Sequence, residues 1–261
     1  MVYNKSINLI VTKEIKTMKR FFALALVAVM MLCIVSCGAT EDINKKSEGT
    51  MTWAEYDAAA LDSNVVIEAY VQAKQGWWDN SVTIYLQDAD GGYFVYGLPI
   101  SEAENEKLVI GQKVKITGVK AEWSGEVEII DATYEILDGN YIAEATDVTA
   151  LLGTDDLAKK QNMFVSFKGM TVEASKDADG NDVAFLYKWN GSGQDGDDLY
   201  FNVSVDGKTY SFTVESYLCG ADTDVYKAVK ELKIGDVIDM EGFLYWYEGA
   251  NPHITSVTAA K

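Results

Sequence analysis

Side chains suited to covalent or acid–base chemistry are sparse in this sequence. The chain of 261 residues contains one histidine, His253, and three cysteines. Ser-His-Asp or Cys-His catalysis therefore has a single candidate base, and zinc sites built on several His or Cys ligands are excluded. Gly-x-Ser-x-Gly, phosphate-loop and His-Glu-x-x-His motifs are missing from the sequence. We expect no enzymatic activity, no catalytic residues, no metal site and no cofactor.

Two acidic turns begin in the way that calcium loops begin. They are Asp88-Ala-Asp-Gly and the segment 177–182, Asp-Ala-Asp-Gly-Asn-Asp. An EF-hand needs glycine at its sixth position and glutamate at its twelfth, where the second segment has Asp182 and Lys188. The pattern therefore favours plain hairpin turns over an irregular calcium site.

Aromatic side chains are the main candidates for ligand contact. Trp77 and Trp78 are adjacent in a polar stretch, so both cannot easily point into one core, and we expect at least one to be exposed. Exposed flat rings can stack on sugars or bases. The alternative for the aromatics on strands is that they form the core or pack between domains. The candidate binding residues are Trp77, Trp78, Tyr93, Tyr96, Trp123 and Trp246.

The N-terminal segment has the pattern of an export signal. Lys19 and Arg20 precede an apolar run at 21–35, which is too short to be a typical transmembrane helix of about 20 residues. Residues 34–37, Ile-Val-Ser-Cys, resemble the lipobox of bacterial lipoproteins. That resemblance implies cleavage before Cys37, lipidation of its thiol, and a location in the cell envelope on the periplasmic or cell-surface side. The alternative is an ordinary secretory signal with an incidental cysteine.

The charge of the mature chain limits which partners we expect it to bind. The formal net charge is −18, and loss of residues 1–36 makes it more negative because this segment carries five basic residues and one acidic residue. Nucleic-acid affinity depends largely on Lys and Arg, and Lys113, Lys115 and Lys120 form the single small lysine cluster. We therefore expect nucleic acid to be a disfavoured partner.

Cys219 is the only cysteine left unmodified in the mature chain, and it is more typical of a buried apolar residue than of a nucleophile.

An internal repeat divides the mature chain. Residues 108–118 match residues 232–242 at a constant offset, with leucine, glycine and glycine at corresponding positions. A helical pattern precedes each copy, at 101–107 and at 222–232, and Ser101 with Glu104 forms a capping-box pattern. The predicted regions are an upstream extension and signal peptide at 1–36, a lipidated tether at 37–51, and two domains at 52–140 and 141–261.

Alternating and β-branched segments predict strands around each helix. In the first domain they are 65–73, 82–87, 93–96, 113–120 and 127–136. In the second they are 163–172, 184–189, 200–205, 210–214, 237–247 and 253–258, with extra residues near 191–198.

Five strands with one helix between the third and the fourth is the order of the oligonucleotide/oligosaccharide-binding (OB) fold. Residues 85–93, Tyr-Leu-Gln-Asp-Ala-Asp-Gly-Gly-Tyr, resemble OB-like domains of secreted bacterial proteins. The predicted fold is all-β, with two small five-stranded Greek-key OB-like barrels. A β-sandwich of another topology is the alternative.

These observations predict a non-catalytic, membrane-anchored lipoprotein that recognises a protein or glycan ligand through its barrels. The membrane is a partner through the lipid on Cys37. Single-stranded nucleic-acid binding is one alternative, because it is a common use of the fold. An accessory domain of a hydrolase is another.

Overall fold

A computed structural model describes residues 43–260, which lie within one compact unit. Cys37, the predicted signal peptide and part of the predicted tether lie outside the described residues. Within residues 43–260 no helix is both long enough and apolar enough to cross a membrane.

The first barrel contains five strands and closes on itself. Going around the barrel, the strands follow the order β1, β2, β3, β5, β4, with antiparallel pairing except where β3 and β5 run parallel at Val95 and Ile129. A short helix, α1, precedes the barrel, and a second, α2, lies between β3 and β4. The elements are α1 (Trp53–Ala58), β1 (Asn64–Lys74), β2 (Ser81–Gln87), β3 (Gly92–Pro99), α2 (Glu102–Asn105), β4 (Gln112–Trp123) and β5 (Glu126–Asn140).

The second barrel repeats this topology. Its strand β7 pairs with both β11 and β13, and β12 runs parallel to β14 through Thr213 and His253, which closes a second ring of five strands. The elements are β6 (Thr146–Asp147), β7 (Phe164–Glu173), β8 (Ser175–Lys176), β9 (Asp182–Val183), β10 (Leu186–Tyr187), β11 (Leu199–Val205), β12 (Lys208–Val214), α3 (Asp224–Lys230), β13 (Val237–Phe243) and β14 (His253–Ala259).

The predicted pair of OB-like barrels, each with one helix between its third and fourth strands, is confirmed. Two local features differ from the sequence-based expectation. The strand predicted at 184–189 is only β10, part of an insertion between β7 and β11. Helix α1 was not predicted, although Thr52 and Glu55 form a complete capping box at its start.

The glycines of the repeat have the same structural role in both barrels. Gly111 and Gly235 have φ values of +87° and +91°, a region that glycine enters without steric cost. Gly118 and Gly242 lie where the next strand approaches closely: an added Cβ would meet the carbonyl oxygen of Ile130 at 2.8 Å in one case and that of His253 at 2.2 Å in the other. The repeat therefore reflects how each barrel closes.

Part of the segment predicted as a tether contacts the first barrel. The Lys46 ammonium pairs with the buried Asp88 carboxylate, and Met51 forms an isolated β-bridge with Ile67. The Glu68 carboxylate accepts hydrogen bonds from the backbone and hydroxyl groups of Ser47 and Thr50, respectively. Residues 46–51 thus extend the folded unit toward the N-terminus.

An aromatic cluster joins the two barrels. The rings of Tyr85 and Phe243 stack at a centroid distance of 4.4 Å, and Phe94 packs against Tyr85 at 4.8 Å. All three are buried. Between barrels, the Tyr85 hydroxyl and His253 Nδ1 form a hydrogen bond of 3.0 Å. Burying aromatic surface on both sides makes the contact between barrels part of the folded core.

Hydrogen bonds surround this cluster and fix the register between the barrels. Four backbone amides and the side-chain amide of Asn162 donate to acceptors of the other barrel, and several of these groups are buried. The bonds are Phe164 N to Gln87 Oε1 (2.7 Å), Trp246 N to Glu126 Oε2 (2.9 Å), Glu248 N to Ser124 O (2.7 Å), Gly76 N to Tyr217 O (2.7 Å) and Asn162 Nδ2 to Val127 O (3.0 Å). Directional bonds at separate points hold the two barrels in one orientation.

His253 should make the protein sensitive to acid. Burial lowers its pKa from 6.5 to about 3. Between these values the unfolded chain binds a proton that the folded chain does not, so falling pH favours unfolding. Between pH 7 and pH 5 the free energy of unfolding of the parent should therefore fall by about 2 kcal/mol more than that of His253→Asn. The asparagine amide oxygen can still accept from Tyr85. Urea unfolding at the two pH values measures this difference.

Tyr85→Phe is the matched control, because it removes the hydroxyl and keeps the buried imidazole. It should be less stable than the parent at both pH values but retain the parent's loss on acidification. Buried carboxyl groups whose pKa is raised, such as Glu126, oppose this trend but are present in every variant. An identical pH dependence in the parent and in His253→Asn would contradict the assignment.

Candidate functional site

A cleft of about 630 Å³ lies over the contact between the barrels. The first barrel contributes residues from β3, from the loop after β1 and from the hairpin between β4 and β5. The second barrel contributes residues from its insertion, from β11 and β12, and from the connection between β13 and β14. The lining is mainly aromatic: Phe94, Tyr96, Trp123, Trp189, Tyr200, Tyr245 and Tyr247, with Gln75, Asp198, Thr213, Glu215, Asn251 and His253 as the polar members.

Strand alternation determines which aromatic residues of β3 reach the cleft. Side chains two residues apart share one face of a strand. Phe94 and Tyr96 face the second barrel and line the cleft. Tyr93 faces the interior of the first barrel, where it is fully buried and packs against Trp53 and Tyr56. Of the two tyrosines named from the sequence, Tyr96 is therefore at the cleft and Tyr93 is in the core.

Rings from the two barrels meet across the mouth of the cleft. Trp123, in the hairpin between β4 and β5, lies 5.2 Å from the ring of Tyr247 in the second barrel. Deeper in the cleft, Tyr245 stacks on the imidazole of His253 at 4.3 Å. Because ring positions are fixed by neighbouring rings, the cleft presents a largely preformed aromatic surface.

The remaining tryptophans named from the sequence take three different positions. Trp77 packs partly against the first core, and its indole donates to the Ile100 carbonyl at 2.9 Å. Trp78 is exposed and lines a second cavity beside the cleft. Trp246 packs against the second core and lies close to Gly125 of the first barrel. Trp78, Tyr96 and Trp123 are thus the named residues whose rings are accessible, and their role in binding stays a prediction.

The cleft contains two carboxylates that the sequence analysis did not single out. The pKa of Glu215 is raised to about 7, mainly by burial and secondly by the negative charge of the neighbouring Asp198. The Gln75 amide donates to Glu215 Oε2 at 3.2 Å, and the Tyr217 amide donates to Oε1 at 3.2 Å. Asp198 Oδ1 accepts from the amide and hydroxyl of Ser216. Lysine is absent from the residues that line this cleft.

His253 and Cys219, the histidine and the cysteine considered in the sequence, are both buried. His253 is held by Tyr85, and its lowered pKa keeps it neutral at physiological pH. Burial raises the pKa of the Cys219 thiol to about 11, so at neutral pH it is a protonated thiol and a poor nucleophile. Both residues contribute to packing in the described structure.

Two of the three clustered lysines are used inside the first barrel. Lys113 is buried and pairs with Glu68 at 3.2 Å. The Lys120 ammonium donates to the carbonyl oxygens of Tyr56, Asp57 and Ala59. These ammonium groups satisfy internal acceptors, so they do not form an open cationic patch.

The acidic turns are hairpin turns whose carboxylates bond to the chain itself. Asp88 Oδ1 accepts from the amides of Asp90 and Gly91. Asp177 Oδ1 accepts from the amides of Asp179 and Asn181. This pattern is that of an Asx turn, as the sequence indicated.

No protein-family model matches the sequence, and neither does any curated protein sequence. Solved structures with a distant likeness exist. A murine DNA-binding protein bound to double-stranded DNA is 12% identical, over 75% of this chain and 96% of that one, with a TM-score of 0.35. The Ifi202 HINa domain in complex with 20-bp double-stranded DNA is 10% identical, over 76% and 100%, with a TM-score of 0.34.

A mutant of the single-stranded DNA-binding protein from Thermus aquaticus is 13% identical to this chain. The likeness covers 76% of this chain and 94% of that one, with a TM-score of 0.26. At this distance a ligand does not carry over from these proteins to this chain.

The prediction that nucleic acid is a disfavoured partner is wrong. It rested on total charge alone, and domains solved on DNA are among the structures with a distant likeness. Total charge does not determine the potential at one local surface. Bases can also stack on exposed aromatic rings, a contribution that does not depend on lysine.

The raised pKa of Glu215 can be measured directly. We expect its side-chain carboxyl carbon to titrate with a midpoint at about 7 in NMR spectra of the ¹³C-labelled protein. Asp198→Asn keeps an acceptor for Ser216 and removes a nearby negative charge, so it should lower that midpoint. A parent midpoint near the ordinary value of 4.5, unaffected by Asp198→Asn, would contradict this description of the cleft.

Proposed function

We propose that the protein is a non-catalytic binding module that holds sugar rings in the cleft between its two OB-like barrels. The observation that carries this proposal is the combination of flat rings and hydrogen-bond acceptors in one preformed cavity. Such cavities, mostly apolar with a few convergent polar groups, are typical of ligand sites.

The chemistry of the lining suits a polyhydroxylated ring. Tyr96, Trp123 and Tyr247 offer faces on which the apolar side of a sugar can lie. Asp198 and Glu215 are acceptors for hydroxyl donors, and Asn251 and Gln75 can both donate and accept. OB folds use this kind of surface for oligosaccharides as well as for oligonucleotides.

Single-stranded nucleic acid is the second candidate ligand. The exposed rings of Tyr96 and Trp123 favour it, because stacking of bases on aromatic rings tolerates any sequence. Such binding would weaken with added salt wherever phosphates meet lysine. Sugar binding in a cleft without lysine would change little with salt.

We further propose that the protein acts in the cell envelope as a lipoprotein. The support is the order of the basic segment, the apolar run and the lipobox-like residues before Cys37. Stable membrane anchoring needs more than one acyl chain, and the lipid of bacterial lipoproteins would supply more than one.

The proposed ligand class can be tested on a glycan array with the purified full chain, with labelled oligothymidylate measured in parallel at low and high salt. We expect neutral glycans to bind. Tyr96→Ala and Trp123→Ala should each weaken binding about tenfold, the scale of one stacked ring. Glu215→Gln should also weaken binding, because it replaces one acceptor oxygen with a donor.

Leu61→Ala is the matched control, since Leu61 is 47% exposed and does not line the cleft. It should bind as the parent does. Salt-sensitive binding of oligothymidylate that is lost in Trp123→Ala would establish the second candidate instead. Ligand binding that survives both aromatic substitutions would place the site elsewhere.

Lipidation gives a separate test. When the gene is expressed in a bacterium fed labelled palmitate, the parent should carry the label and partition with membranes. Cys37→Ser should lose the label and appear in the soluble fraction, because serine has no thiol to alkylate. Cys219→Ser keeps Cys37 and should remain labelled. Label retained in Cys37→Ser would refute the lipoprotein assignment.

A further inference from the structure

The exposed large aromatic side chains of residues 43–260 all line the cleft between the barrels or a cavity that adjoins it. Six such rings are between 46% and 77% exposed. The other exposed large apolar residues of the described chain are aliphatic. The six rings are Trp78, Tyr96, Trp123, Trp189, Tyr217 and Tyr247.

These rings line three cavities that share walls. The central cleft shares Gln75, Tyr96 and Glu215 with a cavity of about 590 Å³ that contains Trp78 and Tyr217. On its other side the cleft shares Trp189, Tyr200, Tyr247 and Asn251 with a cavity of about 510 Å³. The shared lining residues show that the three cavities adjoin, with the central cleft between the other two, and we call this row of cavities the groove.

At the first end of the groove, a backbone hydrogen bond joins the two barrels. The Gly76 amide, in the loop after β1, donates to the Tyr217 carbonyl of the second barrel at 2.7 Å. Trp78 lies two residues further along, and its backbone forms a bridge with Ser81. Trp78 and Tyr217 therefore flank a place where the two barrels meet, in the cavity that adjoins the central cleft.

The other end extends over the second barrel. Asn202 and Ser211 lie opposite each other on β11 and β12 and line this cavity. Lys176, the basic residue of this end, is paired with Asp182 at 2.8 Å. The polar groups here are hydroxyls, amides and a paired ammonium, which suit a hydroxyl-rich ligand.

We propose that this groove binds a linear, neutral oligosaccharide along its length, with successive sugar units at the Trp78–Tyr217 end, over Tyr96 and Trp123, and beside Trp189. This inference rests on the proposed function and adds that the ligand is a chain and not a single sugar. The assignment to a neutral chain follows from the charge of the groove: Asp198 and Glu215 line the central cleft, whose lining has no lysine, and Lys176 at one end is paired with Asp182.

Chain-length dependence distinguishes this groove from a single-ring site. The full chain is titrated with ladders of glucan, mannan and xylan oligosaccharides, from disaccharide to hexasaccharide. We expect the affinity for at least one ladder to rise with length by about tenfold or more from disaccharide to hexasaccharide, because each added ring meets another aromatic side chain. An oligothymidylate ladder is titrated in parallel.

Variants at one end of the groove separate the inference from the proposed function. Trp78→Ala and Tyr217→Ala alter highly exposed side chains, so folding should be preserved. They should weaken hexasaccharide binding about tenfold and leave disaccharide binding unchanged. Trp123→Ala, in the central cleft, should weaken both. Leu61→Ala should weaken neither.

Each outcome decides the question. Equal affinity for all lengths, or end variants that bind the hexasaccharide as the parent does, would overturn the extended groove and leave a single-ring site in the central cleft. Binding that rises with length only for oligothymidylate would assign the groove to nucleic acid and overturn the sugar assignment. Binding to none of the ladders would overturn the groove and the proposed function together.

Discussion

The architecture of the site depends on the buried contact between Tyr85, Phe243 and His253. These side chains come from different barrels, and their stacking and hydrogen bonding oppose rotation of the barrels against each other. The hydrogen bonds around the contact add direction to apolar burial. A cleft between two domains usually opens and closes as the domains move. Here the walls of the cleft are part of a shared core, so its ring positions are set before any ligand arrives.

Burial at this contact explains why its polar groups have perturbed pKa values. Glu126, Glu215 and His253 lie within or beside surface that the barrels bury against each other, and burial disfavours the charged form of each. The resulting pKa changes have opposite effects on stability, because falling pH destabilises the fold through His253 and stabilises it through the two carboxyl groups. The contact therefore combines groups whose contributions to acid sensitivity partly cancel.

The sequence predicts the barrels far better than the cleft. The repeat at residues 108–118 and 232–242 is visible because barrel closure needs glycine at fixed places, and each glycine is a local signal. The alternation of β3 also allows Tyr93 to be separated from Tyr96, since residues three apart on a strand lie on opposite faces. By contrast, Glu215 and Asp198 carry no local signal: they flank the paired ends of β11 and β12, and the pKa of Glu215 is raised mainly because folding buries it beside Gln75 of the first barrel.

Net charge was a poor guide to the ligand, because it is a property of composition and the groove depends on where residues lie in the fold. Acidic residues dominate the sequence, and Lys113 and Lys120 bond to groups inside the first barrel, so total charge does not tell which charges lie at the groove. What remains at the groove is a surface defined by rings and by hydrogen-bond acceptors, and these are properties of position that composition does not reveal. Affinity at such a surface comes from how many rings a ligand covers at once, since each contact adds to the same bound state. A chain that follows the whole groove would cover more rings than any single sugar, because the three cavities adjoin one another.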